Sequence, residues 1–154
     1  MRLRAALVPL LAAVALLASD PADVASQNPS APAARPFTVE YYYKIKWGYT
    51  DEWIELYKRN HWPILQRQQR MGRIVSMTAA YPFNHAGESN RWDMRFTIVW
   101  KDAATAHDDF DASAIIKELY PDQAKFLAEE KHRFELLLEH MDVEVVTEDP
   151  ATWK

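Results

Sequence analysis

From Phe37 onward, apolar and polar positions alternate almost without a break: Phe37, Val39, Tyr41, Tyr43, Ile45 and Trp47 fall on one side, Thr38, Glu40, Tyr42, Lys44 and Lys46 on the other. This two-residue period predicts a half-buried strand whose first set faces a core. After Gly48 and Tyr49, Thr50 is placed to cap a helix with Asp51 and Glu52 in its first turn, where negative charge suits the positive end of the helix dipole. Trp53, Ile54, Tyr57, His61, Ile64 and Leu65 then recur at helical spacing, so His61 is expected on the buried side. Pro63 lacks an amide hydrogen and its ring presses on the carbonyl of Arg59, which predicts a kink or restart that leaves backbone polar groups unpaired near His61.

Gly72 is a natural helix stop, and Arg73 to Phe83, with Ile74, Val75, Met77, Thr78 and Tyr81, reads as a second strand with blurred alternation. The stretch from Pro82 to Arg91 is a loop by its turn chemistry. In a third strand Trp92, Met94, Phe96, Ile98 and Trp100 alternate with Asp93, Arg95, Thr97 and Val99. Asp102 caps a short helix through about Phe110, a second runs from about Ser113 to Leu119, and Pro121 starts a longer one carrying Phe126, Leu127, Phe134, Leu137 and Leu138. Met141, Val143 and Val145, alternating with Asp142 and Glu144, make a last strand. The order βαββαβ is that of an α+β ferredoxin-like domain, a four-stranded antiparallel sheet with helices on one face.

Glu40, Lys44, Lys46, Asp93, Arg95, Asp142 and Glu144 are expected on the sheet face away from the helices, a mixture of both signs joined by Tyr42 and Val99. Such a face is either wet, in a monomer, or paired across a homodimer; the dimer is the favoured expectation.

The ends change the setting. Arg2 and Arg4 precede an apolar run from Ala5 to Ala18, and Val24-Ala25-Ser26 fits a leader-peptidase site, so residues 1–26 read as a signal peptide and the protein as secreted or periplasmic. An N-terminal anchor is the alternative, but the run falls short of the roughly 20 residues that span a bilayer. Residues 27–36, mostly Pro, Ala and Ser, form an extended spacer, 37–148 the folded domain and 149–154 a tail. The chain has no cysteine, which excludes disulfides, thiol nucleophiles and a lipidated cysteine. Its formal charge of −4 argues against nucleic acid.

The order of elements, together with Trp53, Tyr57, His61-Trp62-Pro63-Ile64-Leu65 and Gly72, resembles the dimeric α/β barrel superfamily and within it the EthD-like and NIPSNAP-like members, whose first helix carries a histidine two residues before a proline and ends on a glycine. That superfamily includes oxygenases that need no metal, haem enzymes, isomerases, cyclases and decarboxylases of aromatic or polyketide-like compounds. The resemblance implies a homodimer with a small-molecule pocket between helix and sheet. The export signal and the long polar loop between strands two and three depart from much of the group.

His61 is the leading candidate for chemistry, since an imidazole exchanges protons near neutrality; the alternative is a buried neutral histidine bonded to backbone at the kink. Tyr43 and Tyr57, on the same inward side, have phenols able to hydrogen-bond an enolate and join His61 as catalytic candidates. Tyr41, Trp53 and Trp100 are candidate ligand-binding walls or ordinary core, and His85 lies in a loop that either closes over the pocket or faces water. His107 with Asp108, Asp109 and Asp111 lacks ligand spacing and reads as solvated surface. His132, Glu135 and Glu139 share a wetted helix face, and Arg95 is expected to pair with Asp93, Glu40 or Glu144, the alternative being that it holds an anionic ligand. No metal site results. There is no Gly-x-Ser-x-Gly elbow, phosphate loop or dinucleotide fingerprint. The expected function is binding of a small apolar or aromatic ligand, with a cofactor-independent lyase, isomerase or cyclase step using His61. A non-catalytic carrier of such a ligand, or of haem, is the alternative.

Overall fold

The structure, a computed structural model, describes residues 35–84 and 86–153. Residues 1–26, expected to be a signal peptide, most of the expected spacer and His85 lie outside the described residues. Four strands, β1 (Phe37–Ile45), β2 (Ile74–Ala80), β3 (Met94–Trp100) and β4 (Leu137–Val145), form one sheet in the order β2-β3-β1-β4 with every neighbouring pair antiparallel. Between β1 and β2 run α1 (Thr50–Leu56), a π-helical turn (Tyr57–His61) and α2 (Trp62–Arg70); between β3 and β4 come α3 (Ala103–Ala106), α4 (Ser113–Leu119) and α5 (Gln123–Glu135). This is the ferredoxin-like βαββαβ arrangement that the alternation of apolar positions predicts.

The core lies where the alternation puts it. Val39, Tyr43 and Ile45 of β1 and Met94, Phe96, Ile98 and Trp100 of β3 are buried against Trp53, Leu56, Tyr57 and Leu65 of the helices. Trp53 is wholly buried, with its ring centroid 4.7 Å from Tyr43 and 5.1 Å from Tyr57. Burial of each such side chain contributes about 2–3 kcal/mol, so this aromatic cluster is the main source of stability in a chain without disulfides.

Several boundaries differ from the expected ones. Thr50 is the first helical residue rather than a cap, and no side chain caps α1 at Tyr49. β1 stops at Ile45 because Gly48 turns the chain in the left-handed region at φ 84°, leaving Trp47 61% exposed rather than in the core. Trp47 instead lies over the Arg91 guanidinium at 4.1 Å and donates its Nε1–H to Glu88. Arg91, buried, also donates to the carbonyl of Ile45 at 3.0 Å and pairs with Asp93, while Lys44 reaches Glu88 at 3.1 Å. Lys44 and Asp93 thus belong to a network that ties the β2–β3 connection to the end of β1, and not to an open charged face. Hydrogen bonds from Arg91 first and Lys44 second hold the Glu88 carboxyl down at about 2.

Larger corrections concern α5 and β4. Asp102 and Asp122 cap α3 and α5 through their carboxylates, but α3 ends at Ala106 and α5 at Glu135. Leu137 and Leu138 therefore begin β4, and Glu139 is on that strand rather than beside His132. Leu127 and Phe134 are 64% and 53% exposed; the side of α5 that faces inward carries Phe126 and Arg133. In β4 the alternation is correct but its sense is reversed. Asp142 pairs with Tyr41 and Glu144 with Val39, which sets both acids on the helix side, while Met141 and Val143, opposite Tyr42 and Glu40, share the outer face. That outer face is more apolar than expected, with the ion pair Arg95–Glu40 at 3.4 Å among Tyr42, Val99, Met141 and Val143.

Candidate functional site

Pro63 shapes the helix that carries the candidates. In place of a break, the chain widens for one turn: the amide of Trp62 reaches back five residues to the carbonyl of Tyr57, and the helix continues with Pro63 in the first turn of α2. The backbone groups expected to be orphaned are satisfied, because the Tyr120 hydroxyl lies 2.7 Å from the carbonyl of Asn60 and 3.1 Å from that of Arg59.

Tyr57 and His61 leave this turn together, their rings 5.0 Å apart. Tyr43 lies 6.2 Å from Tyr57, and His140, directly across from Tyr43 on β4, stacks on the Tyr43 ring at 4.3 Å. From α5, Arg133 grips Glu130 through two hydrogen bonds of 3.0 and 2.8 Å and holds its guanidinium 5.7 Å from both the Trp53 and Tyr57 rings. The Glu130 carboxylate is 3.8 Å from His61 Nδ1, beyond hydrogen-bond length. Among the described residues nothing hydrogen-bonds the hydroxyls of Tyr43 and Tyr57.

The electrostatics follow from this enclosure. Burial lowers the His61 pKa to about 4, with Arg133 and His140 pushing the same way against Glu130, so the imidazole is neutral at pH 7 although a third of its side chain remains exposed. Burial also lowers His140, opposed by Asp142, whose carboxylate is 3.0 Å from Nε2. Tyr41, Tyr43 and Tyr57 are raised, foremost by burial, and stay protonated hydrogen-bond donors. The assembly is a set of neutral phenols and imidazoles in the field of one buried cation.

Beside it is an apolar cleft of about 240 Å³ lined by Trp53, Tyr57, Trp62, Ala79, Met94 and Phe96. Tyr57 and Trp53 belong to both features. His61 does not line the cleft and meets it only through Tyr57, and neither Tyr41 nor Trp100 is in its wall; Trp100 is core. The structure therefore brings Tyr43, Tyr57, His61 and Trp53 together, sets Tyr41 beside His140 at 6.5 Å and near the Trp100 side chain, and keeps Trp100 in the same core cluster but outside the cleft wall. Sequence reasoning missed Arg133, Glu130, His140 and Asp142. The Glu130-x-x-Arg133 spacing, one helical turn, was the available signal for the first pair.

The remaining candidates are surface pairs. His107 bonds the Ala103 carbonyl and Glu144, Asp108 pairs with Arg73, and His132 meets Glu52 at 2.8 Å. Among the described residues no three His, Asp or Glu side chains converge as a metal-binding set, and no helix is long and apolar enough to cross a membrane.

No protein-family model and no curated protein matches the chain. Solved structures resemble it at a distance. A dimeric protein of unknown function and ferredoxin-like fold from Bacteroides fragilis is 10% identical, with 71% of this chain and 94% of that one covered and a TM-score of 0.43. A cofactor-independent oxygenase from Streptomyces nogalater is 12% identical over 78% of this chain and all of its own, TM-score 0.43. An uncharacterised NIPSNAP domain protein from Burkholderia xenovorans is 15% identical over 73% and 94%, TM-score 0.41. Likeness this remote transfers no activity and no assembly. The chain's own strand order, antiparallel pairing and helical connections make it a ferredoxin-like α+β protein.

Proposed function

We propose that this protein is an exported homodimer that binds a small aromatic or polyketide-like molecule between helix and sheet and moves a proton on it, in a lyase, isomerase or cyclase step, with His61 as the acid or base. The observation that carries this reading is the meeting of a neutral imidazole and two phenol donors without protein partners at the edge of an apolar cleft. The cleft is smaller than the roughly 300–1,000 Å³ that holds a drug-sized ligand, which suits a compound of one or two rings. With the apolar body in the cleft, a polar edge that reaches past Tyr57 meets His61. The imidazole takes a proton from carbon or hydroxyl, and the phenols of Tyr43 and Tyr57 donate hydrogen bonds to the oxygen on which negative charge develops, helped by the nearby Arg133 cation.

A carrier without turnover is the second reading, favoured by the cleft lining, apolar but for Lys58 and the phenol of Tyr57, and by His61 standing outside it. Purified protein examined by native mass spectrometry and absorption identifies the ligand class, and His61→Ala then separates the two. An enzyme loses turnover while affinity for that ligand holds; loss of affinity alone leaves the carrier.

The homodimer is supported by the uncovered outer face of the sheet, where Tyr42, Val99, Met141 and Val143 lie together and two of them, Met141 and Val143, are more than 40% exposed. Val143→Asp is expected to convert a species of two chains into one of a single chain on size exclusion with light scattering. A single-chain mass for the unaltered protein would refute the dimer.

A further inference from the structure

The wide turn at Tyr57–His61 is held from outside the helix at two consecutive residues. Tyr120, in the connection between α4 and α5, has its hydroxyl 2.7 Å from the Asn60 carbonyl and 3.1 Å from that of Arg59. Its ring is itself fixed by stacking on Phe126, 4.5 Å away at 19°. Asn60, almost wholly buried, donates its side-chain amide to Glu129 of α5 at 3.0 Å. We infer that Tyr120 is a positioning residue for His61: its hydroxyl holds the π-helical turn that brings the imidazole beside Tyr57, Glu130 and Arg133.

The reason lies in Pro63. In a regular helix the carbonyl of Arg59 would accept from residue 63, which has no N–H, and the proline ring would press on that same carbonyl. Widening the turn relieves the clash, but a π turn has poorer hydrogen-bond geometry than an α turn and persists where tertiary contacts hold it. Asn60 immediately precedes His61. A shift of the seam after the loss of its tether therefore moves the imidazole relative to Glu130 and Arg133, while the rings of the core stay in place. For catalysis the inference rests on the role proposed for His61; as a statement of geometry it does not.

The test uses Tyr120→Phe in the chain from which the export signal has been cleaved. This change removes one oxygen and keeps the ring on Phe126. The His61 titration midpoint, read from imidazole nitrogen and carbon shifts by NMR, is expected to rise from about 4 by roughly one unit as the ring becomes more exposed, and the Tyr57–His61 ring contact to weaken. Ile98→Val, a core change remote from the turn, serves as a control for simple destabilisation and leaves the midpoint unchanged. Pro63→Ala restores an amide hydrogen and lets the turn relax toward α, so it moves the midpoint in the same direction, and Tyr120→Phe added to it has a smaller effect than alone. Should Tyr120→Phe fail to fold, Pro63→Ala alone carries the comparison. A midpoint that stays at its original value in either variant, or strictly additive effects, overturns the inference. A shifted midpoint with unaltered turnover on the identified ligand upholds the positioning and refutes the catalytic reading of His61.

Discussion

Arg133→Ala is expected to lower the stability of this domain by about 3–5 kcal/mol, read as a fall in the urea midpoint at an unchanged slope. Arg133 is 1% exposed, its guanidinium makes both hydrogen bonds to Glu130 and it lies over the rings of Trp53, Tyr57 and Phe134. Removing it leaves the part-buried Glu130 carboxylate without its hydrogen-bond partner and a void beside the most buried tryptophan. Breaking one side of a buried ion pair is far more harmful than replacing both sides, so Arg133→Met combined with Glu130→Leu is expected to recover most of the loss. A loss below about 1 kcal/mol for the single change would mean that the pair is solvated. Because Arg133 also pushes the His61 pKa down, its removal raises the His61 midpoint.

If His61 is the acid or base of the proposed function, His61→Ala is expected to reduce turnover by about 10²–10⁴-fold, the range for loss of a general acid or base, with ligand affinity little changed. On the proposed role of His61 as a base, the rate of the unaltered protein should be flat near neutrality and fall as pH drops through the His61 pKa of about 4, where the imidazole is protonated. The same group shapes stability. Its folded pKa lies below the ordinary 6.5, so between those values the unfolded chain binds the extra proton. Stability therefore falls as pH is lowered from about 6.5 to about 4 and the contribution is constant below that. The full difference would be about 3 kcal/mol, and with a third of the side chain exposed roughly 1–2 kcal/mol is expected. His140, also lowered, adds in the same direction; His107 and His132, raised chiefly by Glu144 and Glu52, work in the opposite sense. The difference between the unaltered chain and His61→Gln from pH 7 to 5 isolates the His61 part, above the range in which Glu88 titrates. A pH-independent difference would sink the linkage.

Alternation in β1 and β3, the helical recurrence of Trp53, Tyr57, His61 and Leu65, and Gly72 as a stop, with φ 75°, were all legible because they depend on periods and backbone geometry local to each segment. So were the helix at Ser113–Leu119 and the capping acid Asp102. The same local reasoning misplaced the end of α5, since Leu137 and Leu138 continue a helical period as readily as they open a strand, and only pairing with Ile45 and its neighbours decides between them.

By itself, then, the sequence determined the order of elements, the side of β1 that enters the core and the presence of His61, Tyr43 and Tyr57 on one inward side. Tertiary structure alone decided which set of β4 residues faces the helices, because a period of two specifies alternation and not its sense. It also decided what becomes of the backbone around Pro63. Proline removes a hydrogen bond locally, but the group that replaces it, the hydroxyl of Tyr120, comes from 60 residues further along the chain, where no local pattern points to it. For the same reason His140, Glu130 and Arg133 enter the site only when the antiparallel pairing of β1 with β4 and the packing of α5 bring distant segments to one place.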